Sequence, residues 1–379
     1  MPRGHYTLVD SLARIFGSDS KNELLILTRE RGYELLIPLI HEIPCKIHID
    51  YVSGNSLTHN ILEKISDFQP DRIYIVTLEK YFLEFIRLKF PCQVNLFIHN
   101  IDDWFRLTPS ILIYRFFAGL RMTGSFFYYI KTCFVYPFFK KWIKKKVLTS
   151  GGKFVVLNKY LKNELGLYTP IKNIDVIPFS VYNHKIRNVS LNTGLIRFCI
   201  PGMLDTMRRD YFSLFNILEE NLDFLKNRIE LDLLGSINHK MGGGKIINEA
   251  EKLIKKGLKI NYYTKSFIPM AEFDKELAKA HFILGNMNLR IHKYSSYGIT
   301  KDSGIIFTMI RVAKPGLLPE KYLLIDELKS STLLFKDYGD LANIIKRIVI
   351  EPLLLDQLTV AAEKNSLLFE PSVVLKTLV

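Results

Sequence analysis

Leu195-Ile196-Arg197-Phe198-Cys199-Ile200-Pro201-Gly202-Met203-Leu204 is a short apolar run stopped by a proline and a glycine. Its apolar residues are nearly continuous, which is the pattern of a strand covered on both faces. Outward from it the same unit recurs. Runs at 229–235, 258–263, 281–285, 316–319 and 332–335 follow, and runs at 23–28, 46–51, 72–77, 93–99, 153–157 and 173–177 precede it. Between them lie segments of helical period, such as 57–68, where Leu57, Ile61, Leu62, Ile65 and Phe68 mark one face. Strands alternating with helices predict an α/β chain with parallel, doubly wound sheets.

With 379 residues the chain is long enough for two cores. A break falls at Pro178-Phe179-Ser180-Val181-Tyr182 and leads into the polar stretch 183–193. The expected domains are therefore 1–182 and 183–350, followed by a helical tail, 351–379, opened by Glu351-Pro352 and expected to pack back on the first domain. The front is unusual: a helical pattern at 6–16 comes before any strand. Either the first strand lies outside this chain or the first domain begins in an unusual way.

Hydrophobic residues make up 48% and charged residues 24%, which excludes a disordered chain. The four cysteines are scattered without zinc-ligand spacing and read as reduced thiols of a cytosolic protein. No apolar stretch follows Met1-Pro2-Arg3-Gly4-His5, and no run approaches the roughly 18–20 residues of a spanning helix. The expected location is cytoplasmic. The net charge of +14 is local: no acidic residue stands between Asp103 and Glu164, where twelve Lys and Arg are found. A local excess implies a partner surface.

The second half resembles a known family. After Ile200-Pro201-Gly202-Met203-Leu204 come Arg208-Arg209-Asp210-Tyr211, similar to the "G-x-L…K/R-G-x-D" stretch of the large retaining glycosyltransferases that use nucleotide-sugar donors. Leu233-Leu234-Gly235 resembles their G-x-G loop, Phe267-Ile268-Pro269 their G-x-V/I-P turn, and Ala278-Lys279-Ala280-His281 their L-x-x-A-D strand entry. Tyr297-Gly298 and Asp302-Ser303-Gly304 stand where Phe-Gly and Glu-Ala are usual, and Ala313-Lys314-Pro315-Gly316 where G-x-P-V-I is usual. The resemblance implies the GT-B fold, two Rossmann-like domains facing each other across a cleft, a UDP- or GDP-sugar donor, retention at the transferred carbon, and neither cofactor nor metal. It departs at the family's two glutamates, whose positions hold Ser295 and Ser303.

A nucleoside diphosphate needs backbone N–H groups at a helix start together with fixed cations. Thr300-Lys301-Asp302-Ser303-Gly304, opening an apolar helix at 305–312, offers both, and also reads as a plain N-cap. Arg208 and Arg209 suit phosphate oxygens through their planar forks, with Arg208 at the family's basic position. The expected donor site comprises Gly202, Arg208, Arg209, Gly235, Ile268, Tyr297, Gly298, Thr300, Lys301, Ser303 and Gly304. In the first half, Phe97-Ile98-His99-Asn100-Ile101-Asp102-Asp103 ends a strand where open sheets place ligands. His99 resembles the histidine that relatives set against the donor sugar, and Asp102 or Asp103 is a candidate for the acceptor hydroxyl. Arg3-Gly4-His5 resembles the first glycine loop of the fold.

Sixteen aromatics are mixed with the twelve cations of the acid-free stretch. Ser125-Phe126-Phe127-Tyr128-Tyr129-Ile130 and Phe134-Val135-Tyr136-Pro137-Phe138-Phe139 lead into Lys140-Lys141-Trp142-Ile143-Lys144-Lys145-Lys146. Aromatics beside a polybasic cluster compose an interfacial membrane segment, with ordinary outward-basic helices as the plain alternative. Lys140, Lys141, Trp142, Lys144, Lys145 and Lys146 are the expected contacts, on the inner face of an anionic membrane. Nucleic acid ranks last, since no RNA-binding motif accompanies the charge. The expected function is transfer of a sugar from a nucleotide-sugar to a lipid-linked or polysaccharide acceptor by a peripheral membrane enzyme. A silent membrane scaffold, a sugar-nucleotide epimerase and a phosphorylase are the alternatives.

Overall fold

A computed structural model describes residues 6–52, 57–78, 81–106, 112–113, 130–186, 194–265, 267–292 and 295–378. The chain forms two compact units. The first comprises Met1–Phe179, Ile299–Lys301 and Pro371–Val379, and the second Ser180–Gly298 and Asp302–Glu370. Of the expected tail, helix Pro352–Leu367 therefore belongs to the second unit and helix Pro371–Lys376 to the first.

Among the described residues the first unit begins with helix Tyr6–Gly17, which buries Leu8, Leu12 and Ile15. Strands β1 (Glu23–Thr28), β2 (Lys46–Tyr51), β3 (Arg72–Ile75), β4 (Gln93–Phe97), β5 (Phe154–Val156) and β6 (Ile174–Val176) follow. All pair in parallel, but in two sheets, β1-β2 and β3-β4-β5-β6. A single doubly wound sheet was expected; among the described residues no strand joins β1 to β3.

The second unit is regular. Strands β7 (Ile196–Pro201), β8 (Ile229–Leu234), β9 (Lys259–Tyr262), β10 (Phe282–Leu284), β13 (Gly316–Pro319) and β14 (Thr332–Phe335) form one parallel sheet in the order β14-β13-β10-β7-β8-β9. Numbered by appearance this is 3-2-1-4-5-6, the Rossmann winding, with its switch point between β7 and β10. Phe198, Ile200, Leu231, Leu233, Phe282 and Leu317 fill the sheet's centre, and Tyr211, Leu214, Ile246, Leu253, Leu341 and Ile345 pack on it. The sequence reading omits one feature, the antiparallel pair β11 (Arg290–His292) and β12 (Ser295–Ser296). Strands of three and two residues are too short to carry a periodic signal.

Candidate active site

The carboxyl ends of β7 and β10 flank the switch point, where doubly wound sheets bind ligands. Gly202, just after β7, has φ +106°, which glycine adopts freely. A Cβ there would lie 2.9 Å from Arg209 Nη2, which donates to the carbonyl of Pro201. The segment carrying Arg209 runs across the end of β10. Arg209 forms an antiparallel bridge with Met287, the Asp210 N–H donates to Asn286 O at 2.9 Å, and the Asn288 N–H donates to Arg208 O at 2.8 Å.

Arg209 Nη1, both polar atoms of the Asn286 carboxamide and the Tyr211 hydroxyl are buried without hydrogen-bond partners among the described residues. Each such group costs about 1–3 kcal/mol. Their concentration beside the switch point marks a place that a polar ligand or ordered water would complete. Asn286 escaped the sequence reading; its one signal was its place directly after the strand-ending Gly285.

Arg208 is half exposed. Its N–H donates to Asp205 Oδ1 at 2.8 Å and its Nε lies 3.6 Å from Asp205 Oδ2, which orients the side chain while leaving it accessible. Tyr297 is buried and donates its N–H to Leu289 O at 2.9 Å. Burial raises its phenol above the ordinary range, and the nearby Arg208 and Arg209 charges oppose the rise. Gly235 is demanded by packing, since a Cβ there would fall 1.9 Å from Gly202 O. Gly298 is demanded by its turn, at φ +81°. Ile268 is a core residue.

Ser303 caps helix Gly304–Val312, its Oγ accepting the Ile305 N–H at 3.4 Å. The Asp302 carboxylate accepts from the Ser303 N–H at 2.8 Å and from the Tyr322 hydroxyl. Gly304 differs from the glycines above. Its φ is not left-handed, and a Cβ there would meet nothing within 4 Å. A Cβ on Gly285 would touch Ile305 Cδ1 at 3.3 Å, so this helix start stands beside the carboxyl end of β10. The N-cap is thus visible, and the position beside it at Gly304 is open.

Thr300 and Lys301 belong by their contacts to the first unit. The Ile101 N–H donates to Thr300 O at 2.9 Å, and Lys301 forms an antiparallel bridge with Asn100. His99 Nε2 lies 2.7 Å from Val76 O, so that nitrogen carries the proton. Its ring stacks on Phe97, and burial lowers its pKa, which keeps the imidazole neutral at pH 7. Asp102 is fully buried in helix Ile101–Trp104, with Oδ1 3.3 Å from Arg106 Nη1. Asp103 is less buried and accepts from Asn100 Nδ2 at 3.0 Å.

The lysine cluster lies on helix Tyr136–Thr149, and its members divide. Lys140 donates to Asp103 O at 3.0 Å, Lys144 to Trp104 O at 2.8 Å, and Lys146 to Ile86 O at 2.7 Å and Phe85 O at 3.2 Å. These carbonyls close the short helices Ile101–Trp104 and Phe82–Arg87, where cations are favoured. Burial, aided by Lys140 and Lys141, lowers the Lys144 pKa to about 8. Phe134, Phe138, Lys141, Trp142, Lys145 and Leu148 remain exposed, at spacings that put them on one stripe. A hollow of about 410 Å³ beside the stripe is lined by Phe105, Lys141, Lys144, Lys145, Leu148 and Tyr168, among others. The aromatic residues 125–129 and the loop Arg3-Gly4-His5 lie outside the described residues.

Two Rossmann-like units with a 3-2-1-4-5-6 sheet in the second and a helix crossing back to the first define the GT-B glycosyltransferase fold. Solved structures sharing it include HepE from Anabaena in complex with UDP (TM-score 0.61, 10% identity), with 100% of this chain and 95% of that chain covered. Sucrose-phosphate synthase from Thermosynechococcus elongatus matches at TM-score 0.56 and 14% identity, over 98% of this chain and 90% of that one. MnaA from S. aureus with UDP matches at 0.54 and 12%, over 99% and 92%. No protein-family profile and no curated protein sequence matches the chain.

Proposed function

We propose that the protein is a glycosyltransferase whose second unit holds a nucleotide-sugar at the carboxyl ends of β7 and β10. The carrying observation is the Ser303-capped helix start beside β10, where Gly304 leaves open space at its Cβ position. The positive end of the helix dipole suits a diphosphate there. Arg208, oriented by Asp205 yet half exposed, supplies a fork for phosphate oxygens. Arg209 and Asn286 bring buried polar atoms that a ligand would satisfy. Stabilising the departing diphosphate is then the main catalytic contribution. HepE and MnaA were both solved with UDP, which supports a uridine nucleotide over a guanosine one. Retention is carried by the family resemblance alone.

The first unit, in this reading, serves a lipid-linked or polysaccharide acceptor at an anionic membrane surface. Among the described residues no helix is long and apolar enough to cross a membrane, so attachment would be peripheral. Two exposed lysines contribute only about 2 kcal/mol at such a surface, so Phe134, Phe138 and Trp142 must supply the rest. The basic hollow beside them suits a phosphate carried on an apolar chain.

The test is release of free nucleoside diphosphate from UDP- and GDP-sugars, with and without a lipid extract as acceptor source. Release that depends on acceptor supports transfer. Donor conversion without acceptor points to the epimerase. Neither release nor nucleotide binding leaves the silent scaffold.

A further inference from the structure

The hollow of about 410 Å³ in the first unit has three lysines in its wall and no acid. Lys141 and Lys145 are exposed, and among the described residues neither has a hydrogen bond or an ion pair. Lys144 lies deeper. Its Nζ donates to Trp104 O at 2.8 Å and stands 4.2 Å from the centre of the Phe105 ring. An ammonium has three donors, so this leaves Lys144 with capacity for a ligand. Burial and the like charges of Lys140 and Lys141 lower its pKa to about 8. Among the described residues no carboxylate stands within ion-pair distance of Lys141, Lys144 or Lys145. Cations gathered at one hollow without a counter-ion repel one another, and an anion seated there relieves the repulsion.

The rest of the wall argues for more than a bare anion. Phe105 meets Phe154 edge-on at 5.2 Å and Tyr168 at 6.2 Å, and Leu148 adds to this apolar surface. Thr169 also lines the hollow. It is 8% exposed, and its hydroxyl has no hydrogen-bond partner among the described residues. A hydroxyl so enclosed calls for a polar partner within the hollow. Lys141, Lys145 and Leu148 belong as well to the exposed stripe that carries Phe134, Phe138 and Trp142. An anion held in the hollow therefore has an apolar track leading away from it. Charge sets the kind of anion: a phosphodiester carries one negative charge, whereas a phosphomonoester carries about −1.5 to −2 at pH 7 and offers three strong acceptor oxygens. Three ammonium groups and a hydroxyl match the monoester.

We propose that this hollow is the headgroup site of a membrane lipid ending in a phosphomonoester. Lys141, Lys144, Lys145 and Thr169 take its oxygens, and its chains lie along the stripe. The site rests on the peripheral membrane attachment of the first unit and adds to it one-to-one binding with a preference among anionic lipids. Diffuse attraction of lysines to a charged surface gives neither.

Titration calorimetry with dihexanoyl phosphatidate, kept below its micelle concentration, is the test. Dihexanoyl phosphatidylglycerol, inorganic phosphate and a uridine oligonucleotide are the comparisons. Phosphatidate should fill one site per chain with a Kd about tenfold or more below that of each comparison. Lys145→Met, at an exposed position, should weaken it about fivefold, the worth of one lysine at an anionic surface. Thr169→Val, which keeps the shape and removes the hydroxyl, should weaken it by a similar factor of about threefold to tenfold. Equal affinity for phosphatidate and phosphatidylglycerol overturns the proposal, as does equal affinity for phosphatidate and inorganic phosphate. Tighter binding of the oligonucleotide would assign the hollow to nucleic acid instead. Cosedimentation with phosphatidylglycerol vesicles separates the site from the attachment. Vesicle binding without a monoester preference overturns the headgroup site and leaves the attachment standing; a monoester preference in solution without vesicle binding supports the site and overturns the attachment.

Discussion

Replacing Gly304 by alanine should move stability and ligand binding in opposite directions. The position lies at the start of helix Gly304–Val312, its φ is not left-handed, and an added Cβ meets nothing within 4 Å. Alanine is thus accommodated without strain and removes the flexibility that glycine gives the unfolded chain, worth about 0.5–1 kcal/mol. At about 2–4 °C per kcal/mol for a unit of this size, the melting temperature of the ligand-free protein should rise by roughly 1–4 °C. A diphosphate seated on that helix start meets the new methyl group instead of bare backbone. Losing one charge-assisted hydrogen bond costs about 1.5–3 kcal/mol, which is roughly a tenfold to hundredfold weaker Kd for UDP. Scanning fluorimetry gives the first quantity and titration calorimetry the second. Undiminished UDP affinity in Gly304→Ala would remove the diphosphate from this helix start. A lower melting temperature would refute the open environment of the position.

Three further outcomes follow from buried and exposed groups. Lys314 is 6% exposed, and burial lowers its pKa from 10.5 to about 8, with Glu363 opposing. A cation whose folded pKa is depressed weakens the fold fully below pH 8, and the penalty fades as pH rises toward 10.5. Lys314→Met should therefore raise the urea midpoint at pH 7 by an amount equivalent to about 3 kcal/mol, with the gap to wild type closing toward pH 10.5; equal midpoints at pH 7 would show the ammonium to be solvated. On helix Tyr136–Thr149, Phe138→Glu with Trp142→Glu should abolish cosedimentation with anionic liposomes at unchanged stability. Lys146→Met should instead leave liposome binding intact and lower stability by about 1–2 kcal/mol; the reverse pattern would assign the membrane contact to the inward lysines.

The sheets were legible because a doubly covered strand must be apolar throughout, and runs such as 23–28, 316–319 and 332–335 match the observed strands residue for residue. The division of the first sheet was not, because pairing depends on which strands are neighbours in space. The lysine cluster shows a different limit. Lys140, Lys144 and Lys146 look no different in sequence from Lys141 and Lys145, yet a long side chain can bury its stem and set its ammonium on helix-end carbonyls far along the chain. At the switch point the sequence marked Gly202 and the arginine pair. It could not say that Arg209 packs on Gly202 while Arg208 stays accessible, since adjacent residues differ only in the direction the local backbone gives them. Asn286 carries no charge and no motif, and its interest arises only from burial without a partner.

The central claim, that the second unit is a nucleoside-diphosphate site, is tested most directly by scanning fluorimetry against UDP, GDP, ADP, CMP and dTDP. A ligand that binds only the folded state stabilises it by about 2.7 kcal/mol at a hundredfold excess over Kd. The account predicts a clear rise in melting temperature with UDP, larger than with the other four. No shift with any of them at millimolar concentration would contradict it.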